Sequence, residues 1–286
     1  MKKSFPPRDK RGGRDNRDGR DFRGSRDQQF QDNRDNSPSE DLVFGLHAVT
    51  ALLKHHPHSV LELLVLSGRN DPRMDAILER AQKLNIAVSE HARADLDVRV
   101  EGVHQGVIAL CKPLKLERND SQLEELLEGL DHPPFLLVLD GVTDPHNLGA
   151  CLRSAEAAGV DAVIVPKDKS ALMTPTARKV ACGAAELIPF FAVTNLARTL
   201  KSLQERGVWI LGAAGEATQT LYQMDLRGSL ALVMGSEGTG MRRLTREHCD
   251  SLFSIPMAGE VSSLNVSVSA GICTFEAVRQ RRVSAE

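Results

Sequence analysis

Three glycines within six residues, Gly235, Gly238 and Gly240, are the first group in this chain whose spacing could serve chemistry. They follow an apolar run at 230–234, short enough for a buried strand. Glycines in such a place let the backbone bend sharply and let a ligand approach the main chain. Gly235 and Gly240 have the G-x-x-x-x-G spacing of a P-loop, but Met241 and Arg242 stand where Lys and Ser/Thr are needed. The side chain that would reach the phosphates is therefore missing. Gly238 and Gly240 begin a G-x-G-x-x-G, and Arg243 occupies the third glycine position. No G-x-S-x-G nucleophile elbow is present. On the glycines alone, a ligand loop and a plain turn both remain open.

A second group lies in DGVTDPHNLGACLRSAEAAGVDAVIVP at 140–166. Pro145 and Gly149 are expected to bracket a turn, and 148–158 reads as a helix ended by Gly159. Free backbone N–H groups near that start, beside Asn147, can hold an anion, with Arg153 close by. The other reading is a surface arginine with Asn147 as N-cap; the residues leave both open. The five cysteines, Cys111, Cys151, Cys182, Cys249 and Cys273, are far apart, odd in number and without a C-x-x-C. Neither a disulfide framework nor a zinc site is expected, and a reducing cytoplasm fits. His55, His56 and His58, around Pro57, read as an exposed turn rather than a metal site.

The elements that would position these groups alternate. A helix is expected with Phe44, His47, Ala48, Leu52 and Leu53 on one face, then a strand at 60–66, a helix at 74–84, and strands at 86–88 and 107–111. These make a small α/β domain, 41–113. The stretch 114–133 is charged, carries Pro113 at its edge and reads as a linker with a short helix at 121–130. From 134 a second α/β domain begins. Strands are expected at 135–139, 162–165, 187–191, 208–213, 230–234 and 252–255, with helices at 148–158, 176–185, 196–205, 241–248 and 264–278. Strand–helix alternation argues for a parallel sheet, whose ligands sit at the carboxyl ends of the strands. Glycines near the end of the chain, rather than after its first strand, disfavour an NAD-dependent enzyme of the ordinary dinucleotide fold.

The chain has 286 residues, which suits two domains and a tail. No apolar run is long enough to span a bilayer, and the first residues lack the apolar stretch of a secretory signal, so no membrane association is expected. Residues 1–40 are of low complexity and almost free of aliphatic side chains, hence expected to be disordered. They hold 11 Lys/Arg against 8 Asp/Glu, whereas the whole chain has 36 against 38. An Arg/Gly-rich arm with Phe22 and Phe30 can contact RNA through phosphate attraction and stacking. A solvating tail without a partner is the alternative.

Three ordered blocks resemble the signature motifs of the SpoU/TrmH branch of the SPOUT methyltransferases. They are DGVTDPHNLGACLRSA at 140–155, LVMGSEGTGM at 232–241 and IPMAGEVSSLNVSVSAGICTFEAVRQR at 255–281. FGLHAV at 44–49 and VHQGVIA at 103–109 extend the likeness over about 42–282; the tail is outside it. The resemblance implies a parallel-sheet domain with a deep trefoil knot, preceded by an L30e-like RNA-binding domain. It implies S-adenosylmethionine as cofactor, contacted near Met234, Gly235, Ile255, Met257 and Leu264, and no metal. Asn147, Arg153, Glu237, Ser263 and Asn265 would form the catalytic site, and the protein would be a homodimer through the larger domain. Within the family the nearest likeness is to bacterial enzymes that methylate a guanosine ribose in 23S rRNA. A tRNA substrate, or an inactive RNA-binding assembly factor, are the competing readings. Deletion of residues 1–40 is expected to lower RNA affinity at low salt, where phosphate contacts weigh most, and to leave the modified nucleotide unchanged. Movement of the modification on truncation would make the tail a specificity element instead.

Overall fold

In the computed structural model the described residues are 41–100 and 102–283. The expected disorder of 1–40 falls outside them. The small domain runs β1 (Asp41–Phe44), α1 (Leu46–His55), β2 (Val60–Leu66), α2 (Pro72–Lys83), β3 (Ala87–His91), α3 (Arg93–Arg99) and β4 (Val107–Cys111). Its sheet has the order β1-β4-β2-β3, with β2 and β3 parallel and the other pairs antiparallel. Side chains alternate across this sheet. Val43, Leu63, Val65, Val107 and Ala109 meet α1 and α2, while Phe44, Leu64 and Ile108 meet Leu96 of α3.

Phe44 does not belong to the first helix, as the apolar pattern suggested, but ends a four-residue strand. Gly45, at φ 95°, turns the chain into α1. His47 is exposed, and Leu46 and Val49 take the buried face with Ala48, Leu52 and Leu53. Gly45 has no side chain to cap α1, so Gln105 Oε1 accepts from Leu46 N at 3.1 Å. Gln105 reaches that position from a left-handed turn, φ 50°. His104, buried beside it, sits 2.9 Å from Asp97 Oδ1 and accepts from Gly106 N at 2.9 Å. The 102–106 turn thus fastens α1 and α3 together.

The larger domain runs β5 (Glu117–Arg118), α4 (Asp120–Gly129), β6 (Phe135–Asp140), α5 (Pro145–Ala157), β7 (Ala162–Pro166), α6 (Pro175–Val180), β8 (Phe190–Val193), α7 (Leu196–Glu205), β9 (Trp209–Ala213), β10 (Leu230–Gly235), α8 (Arg243–Glu247), β11 (Ser251–Phe253) and α9 (Val266–Val283). Its seven strands pair in the order β11-β9-β10-β6-β7-β8-β5, every pair parallel. The stretch expected to be a linker, 114–133, supplies the edge strand β5 and the helix α4, so part of it is built into this sheet.

A parallel sheet covered on both sides needs strands apolar on both faces, and β6 is buried at all six positions. Phe135, Leu137 and Leu139 face the core made with α5, α6 and α9, and Leu136 and Val138 face the one made with α7 and Leu123 of α4. The helix expected at 176–185 breaks after Val180, because Cys182 (φ 53°) and Gly183 (φ 95°) are left-handed, and a 3₁₀ turn at Ala184–Glu186 follows. The expected strand at 187–191 consequently starts later, at Phe190. Among the described residues, no helix is long and apolar enough to cross a membrane.

Candidate active site

Sheet order fixes the place of the site. From β6 the chain moves outward to β7 and β8, then crosses to the other side for β9 and returns with β10 beside β6. The carboxyl ends of β6 and β10 therefore border a switch point, the usual position of a ligand crevice. Asp140 and Gly235 are register partners there.

The glycine loop closes on itself immediately after β10. Ser236 N donates to Gly240 O at 3.1 Å and Gly240 N to Ser236 O at 3.0 Å. A Cβ on Gly235 would overlap the carbonyl carbon of Gly240 and the nitrogen of Met241, and would lie 2.7 Å from Gly240 Cα. The glycine is thus demanded by the returning backbone, a different reason from the ligand approach expected above. Gly238 and Gly240 have φ of 82° and 68°, the left-handed region that glycine enters most readily. The far end of the loop is pinned by the buried Asp140, which accepts from Arg242 N at 2.8 Å and Arg242 Nε at 2.6 Å. Nothing in the local spacing of Asp140 and Arg242, 102 residues apart, pointed to this latch.

Beside the loop is a cavity of about 420 Å³, within the roughly 300–1,000 Å³ range of small-molecule sites. All five residues expected to hold a cofactor line it: Met234, Gly235, Ile255, Met257 and Leu264. Glu237, Ser263 and Asn265 line it as well. Sequence reading missed the wall formed by 213–215, although a loop at the carboxyl end of β9, next to β10, was a position to suspect.

At its mouth three polar side chains from distant segments meet. Asn147 Nδ2 donates to Glu237 Oε1 at 3.1 Å, and Asn265 Nδ2 donates to the same oxygen at 2.8 Å and to Asn147 Oδ1 at 2.9 Å. Asn265 also starts α9, its Oδ1 accepting from Ser267 N at 2.8 Å and from Ser267 Oγ at 2.6 Å. Asn147 is not the N-cap of α5. Asp144 fills that role, accepting from His146 N at 2.9 Å, with Pro145 in the first turn. That hydrogen bond holds the Asp144 carboxyl below its ordinary range, and a carboxylate at the helix start disfavours a phosphate there. Of the two readings left open at this terminus, the one with Asn147 as N-cap is corrected to Asp144.

Gly149 is not in a turn but inside α5. Its missing side chain lets α6 pack close: a Cβ would lie 2.5 Å from Ala177 O and 2.7 Å from Val180 Cβ. Arg153 does not line the cavity. It is exposed on α5, with Nη1 3.6 Å from Cys182 Sγ. Beneath the cluster, burial pushes the Cys151 thiol up to about 12, with the Glu237 charge adding to the effect. Cys151 is therefore a neutral packing group at physiological pH. The arrangement offers a pocket of mixed apolar and polar lining, a bent main-chain loop and oriented amides around one carboxylate, which suits positioning of a bound molecule for group transfer.

Comparison with known proteins bears on both domains. A family described as "SpoU rRNA Methylase family" matches residues 134–275, and "RNA 2'-O ribose methyltransferase substrate binding" matches 42–117. The chain is 61% identical over 241 residues to the "23S rRNA (guanosine-2'-O-)-methyltransferase RlmB" of Pseudomonas putida, covering 84% of this chain and 97% of that one. Against the protein of the same description from Vibrio cholerae it is 59% identical over 244 residues, with 85% and 98% covered. A solved "RNA 2'-O ribose methyltransferase" superposes with a TM-score of 0.71 at 28% identity, over 86% of this chain and 90% of that one. The SpoU methyltransferase AviRb from Streptomyces viridochromogenes, solved with AdoMet, shares the fold with a TM-score of 0.69 at 24% identity, over 86% and 91%.

Proposed function

This chain belongs to the SpoU rRNA methylase family, and from that premise we propose that it methylates the ribose 2′-oxygen of a guanosine in 23S rRNA, using S-adenosylmethionine. The observation that carries the reading is identity near 60% over almost the whole of relatives with that activity. When bound, S-adenosylmethionine supplies an electrophilic methyl on a sulfonium. The methyl's bond to sulfur breaks as its bond to the ribose oxygen forms, and the hydroxyl proton leaves to solvent. The products are S-adenosylhomocysteine and the 2′-O-methyl ribose.

The residues of this chain contribute mainly positioning. Met234, Ile255, Met257 and Leu264 hold the apolar part of the cofactor, and the Gly235 loop holds it by main-chain groups. Glu237 orients the two amides of Asn147 and Asn265, which with Ser263 align the ribose. Arg153 acts on the hydroxyl or the neighbouring phosphate as a permanent cation. A charge facing the developing alkoxide lowers the barrier electrostatically. The knotted threading and the L30e-like character of the small domain belong to the same reading, as does a cytoplasmic location beside the rRNA.

So does a homodimer through the larger domain. Its support is α9, which is apolar on two faces. Val266, Ala270, Cys273 and Ala277 are buried within the domain, with Ile272 partly buried against the same core, while Val268 and Phe275 are each 49% exposed.

The test is incubation of the purified chain with labelled S-adenosylmethionine and unmodified 23S rRNA or tRNA, followed by nucleoside mass spectrometry. Labelled 2′-O-methylguanosine from 23S rRNA alone is expected. Label in tRNA alone would replace the substrate. Cofactor binding without transfer to either RNA would support the inactive assembly factor.

A further inference from the structure

The segment 175–187 is packed on two sides at once. On one side is the small domain. Arg178, 7% exposed, donates from Nε to Glu186 Oε1 at 3.1 Å and from Nη1 to Asp41 Oδ2 of β1 at 3.4 Å. Lys179 Nζ lies 5.4 Å from the centre of the Phe44 ring, and a Cβ on Gly102 would overlap it. A Cβ on Gly183 would lie 2.9 Å from Ala51 Cβ and 3.1 Å from His47 O, so α1 rests directly on its main chain. His56, which follows α1, places Nε2 3.1 Å from Glu186 O. On the other side is α5, against which α6 packs at Gly149 with no space for a methyl, and Cys182 Sγ touches Arg153.

We propose that this segment is a splint that fixes the small domain relative to α5, with Arg178 as its positioning residue, so that the span between the two RNA-contacting regions selects the nucleotide methylated. The proposal rests on the rRNA-methylating reading above. Its chemistry is that of a device for alignment more than for stability. Among the described residues, Arg178 Nη2 and Glu186 Oε2 are buried with no hydrogen-bond partner. A buried ion pair left partly unsatisfied contributes little net stability, because desolvation offsets its attraction, but it is directional and intolerant of displacement. Burial also raises the Glu186 carboxyl, against the pull of Arg178. The covalent connection between the domains is the short irregular stretch 112–116, itself tied back where Leu114 N donates to Asp41 Oδ2 at 3.2 Å. Asp41 therefore joins three pieces: β1, the connection and Arg178. RNA bound by the small domain and by the cluster at Asn147, Glu237 and Asn265 would be measured against a fixed separation.

The experiment uses the full chain with Arg178→Met, Arg178→Lys and the uncharged pair Arg178→Met/Glu186→Gln. On 23S rRNA, Arg178→Met is expected to raise KM for the RNA about tenfold or more, with kcat within about threefold and S-adenosylmethionine affinity within about twofold, since binding would lose alignment and not chemistry. Methylation should spread to neighbouring riboses, and Arg178→Lys should recover most of the KM. The uncharged pair should fold at least as well as the wild type, yet show the same KM change and the same spread. A second readout needs no RNA: amide exchange in 184–188 and in α1 should rise about tenfold in Arg178→Met with α9 unchanged. Unchanged KM, site choice and exchange in a folded variant would overturn the splint and leave the methyltransferase reading intact. An equal fall in kcat and cofactor affinity in the uncharged pair would also overturn it, making Arg178 a general structural support. A wild-type protein that methylates no RNA would instead remove the underlying reading, while the exchange measurement would still judge the clamp.

Discussion

Gly235→Ala should lower S-adenosylmethionine affinity at least about a hundredfold, about 2.8 kcal/mol at 1.4 kcal/mol per decade, while the chain still folds. The added methyl would overlap the main chain of Gly240 and Met241, and main chain cannot rotate aside as a long side chain can. The loop must therefore open. Opening it breaks the two hydrogen bonds between Ser236 and Gly240 and pulls on Arg242, held by Asp140. Overpacking of this kind costs about 1–3 kcal/mol, tolerable for a domain with a stability of about 5–15 kcal/mol. The binding loss is larger because Gly235, Glu237, Gly238 and Gly240 all line the cavity. Gly238→Ala is the control: its φ of 82° is strained for alanine, but among the described residues no atom beyond its chain neighbours lies within 4 Å of the new methyl. Its loss should be smaller, about tenfold. Calorimetry paired with thermal unfolding decides the matter, and unchanged affinity in folded Gly235→Ala would separate the loop from cofactor binding.

Arg153→Ala should reduce single-turnover methyl transfer about 10²–10³-fold, the usual effect of removing one group that stabilises developing charge. Cofactor affinity should stay within about twofold, because Arg153 lies outside the cavity wall. Arg153→Lys keeps the charge and loses the planar fork. Near-normal turnover in the lysine variant would assign Arg153 to simple charge stabilisation; loss in both variants would assign it to geometry. Full activity of Arg153→Ala with saturating RNA and cofactor would strike it from the catalytic group and turn attention to Glu237, Ser263 and Asn265.

Local chemistry made much of this molecule legible. The inner strands of the large sheet, β6, β7, β8 and β10, are buried on both faces, so each appears as a short apolar run, and the residues after β10 and β11 stand out as small and polar. Local chemistry drew attention to the loops, and the motif resemblance named Met234, Gly235, Glu237, Ile255, Met257, Ser263, Leu264 and Asn265, which line one cavity. What stayed hidden depends on partners far along the chain. β1 has four residues and is a strand only because β4 pairs with it; β5 has two and exists through β8. Gly149 resembles a turn residue until α6 is seen lying against it. The hydrogen bonds from Asn147 to Glu237 and from Asn265 to Asn147 span 90 and 118 residues, and no periodicity encodes such a meeting. Arg153 is a different case: the motif marks it, but the fold of one chain leaves it on the surface.

The pairing of Phe135 with Leu230 has a consequence for how the protein is made. The small domain closes its sheet with β4, ending at Cys111, so it can fold while most of the chain is still unsynthesised. β6 cannot complete its pairing at that stage. It acquires β7 soon after emerging, but its other edge awaits β10, and at about 5–20 residues per second the intervening segment takes roughly 5–20 s to appear. During that interval a strand apolar on both faces is unpaired along one side, the condition that invites pairing with the wrong chain. Slow translation or a shortage of chaperones should therefore reduce the yield of active protein before it reduces that of the small domain, and pulse-labelled nascent chains should acquire protease resistance in two steps.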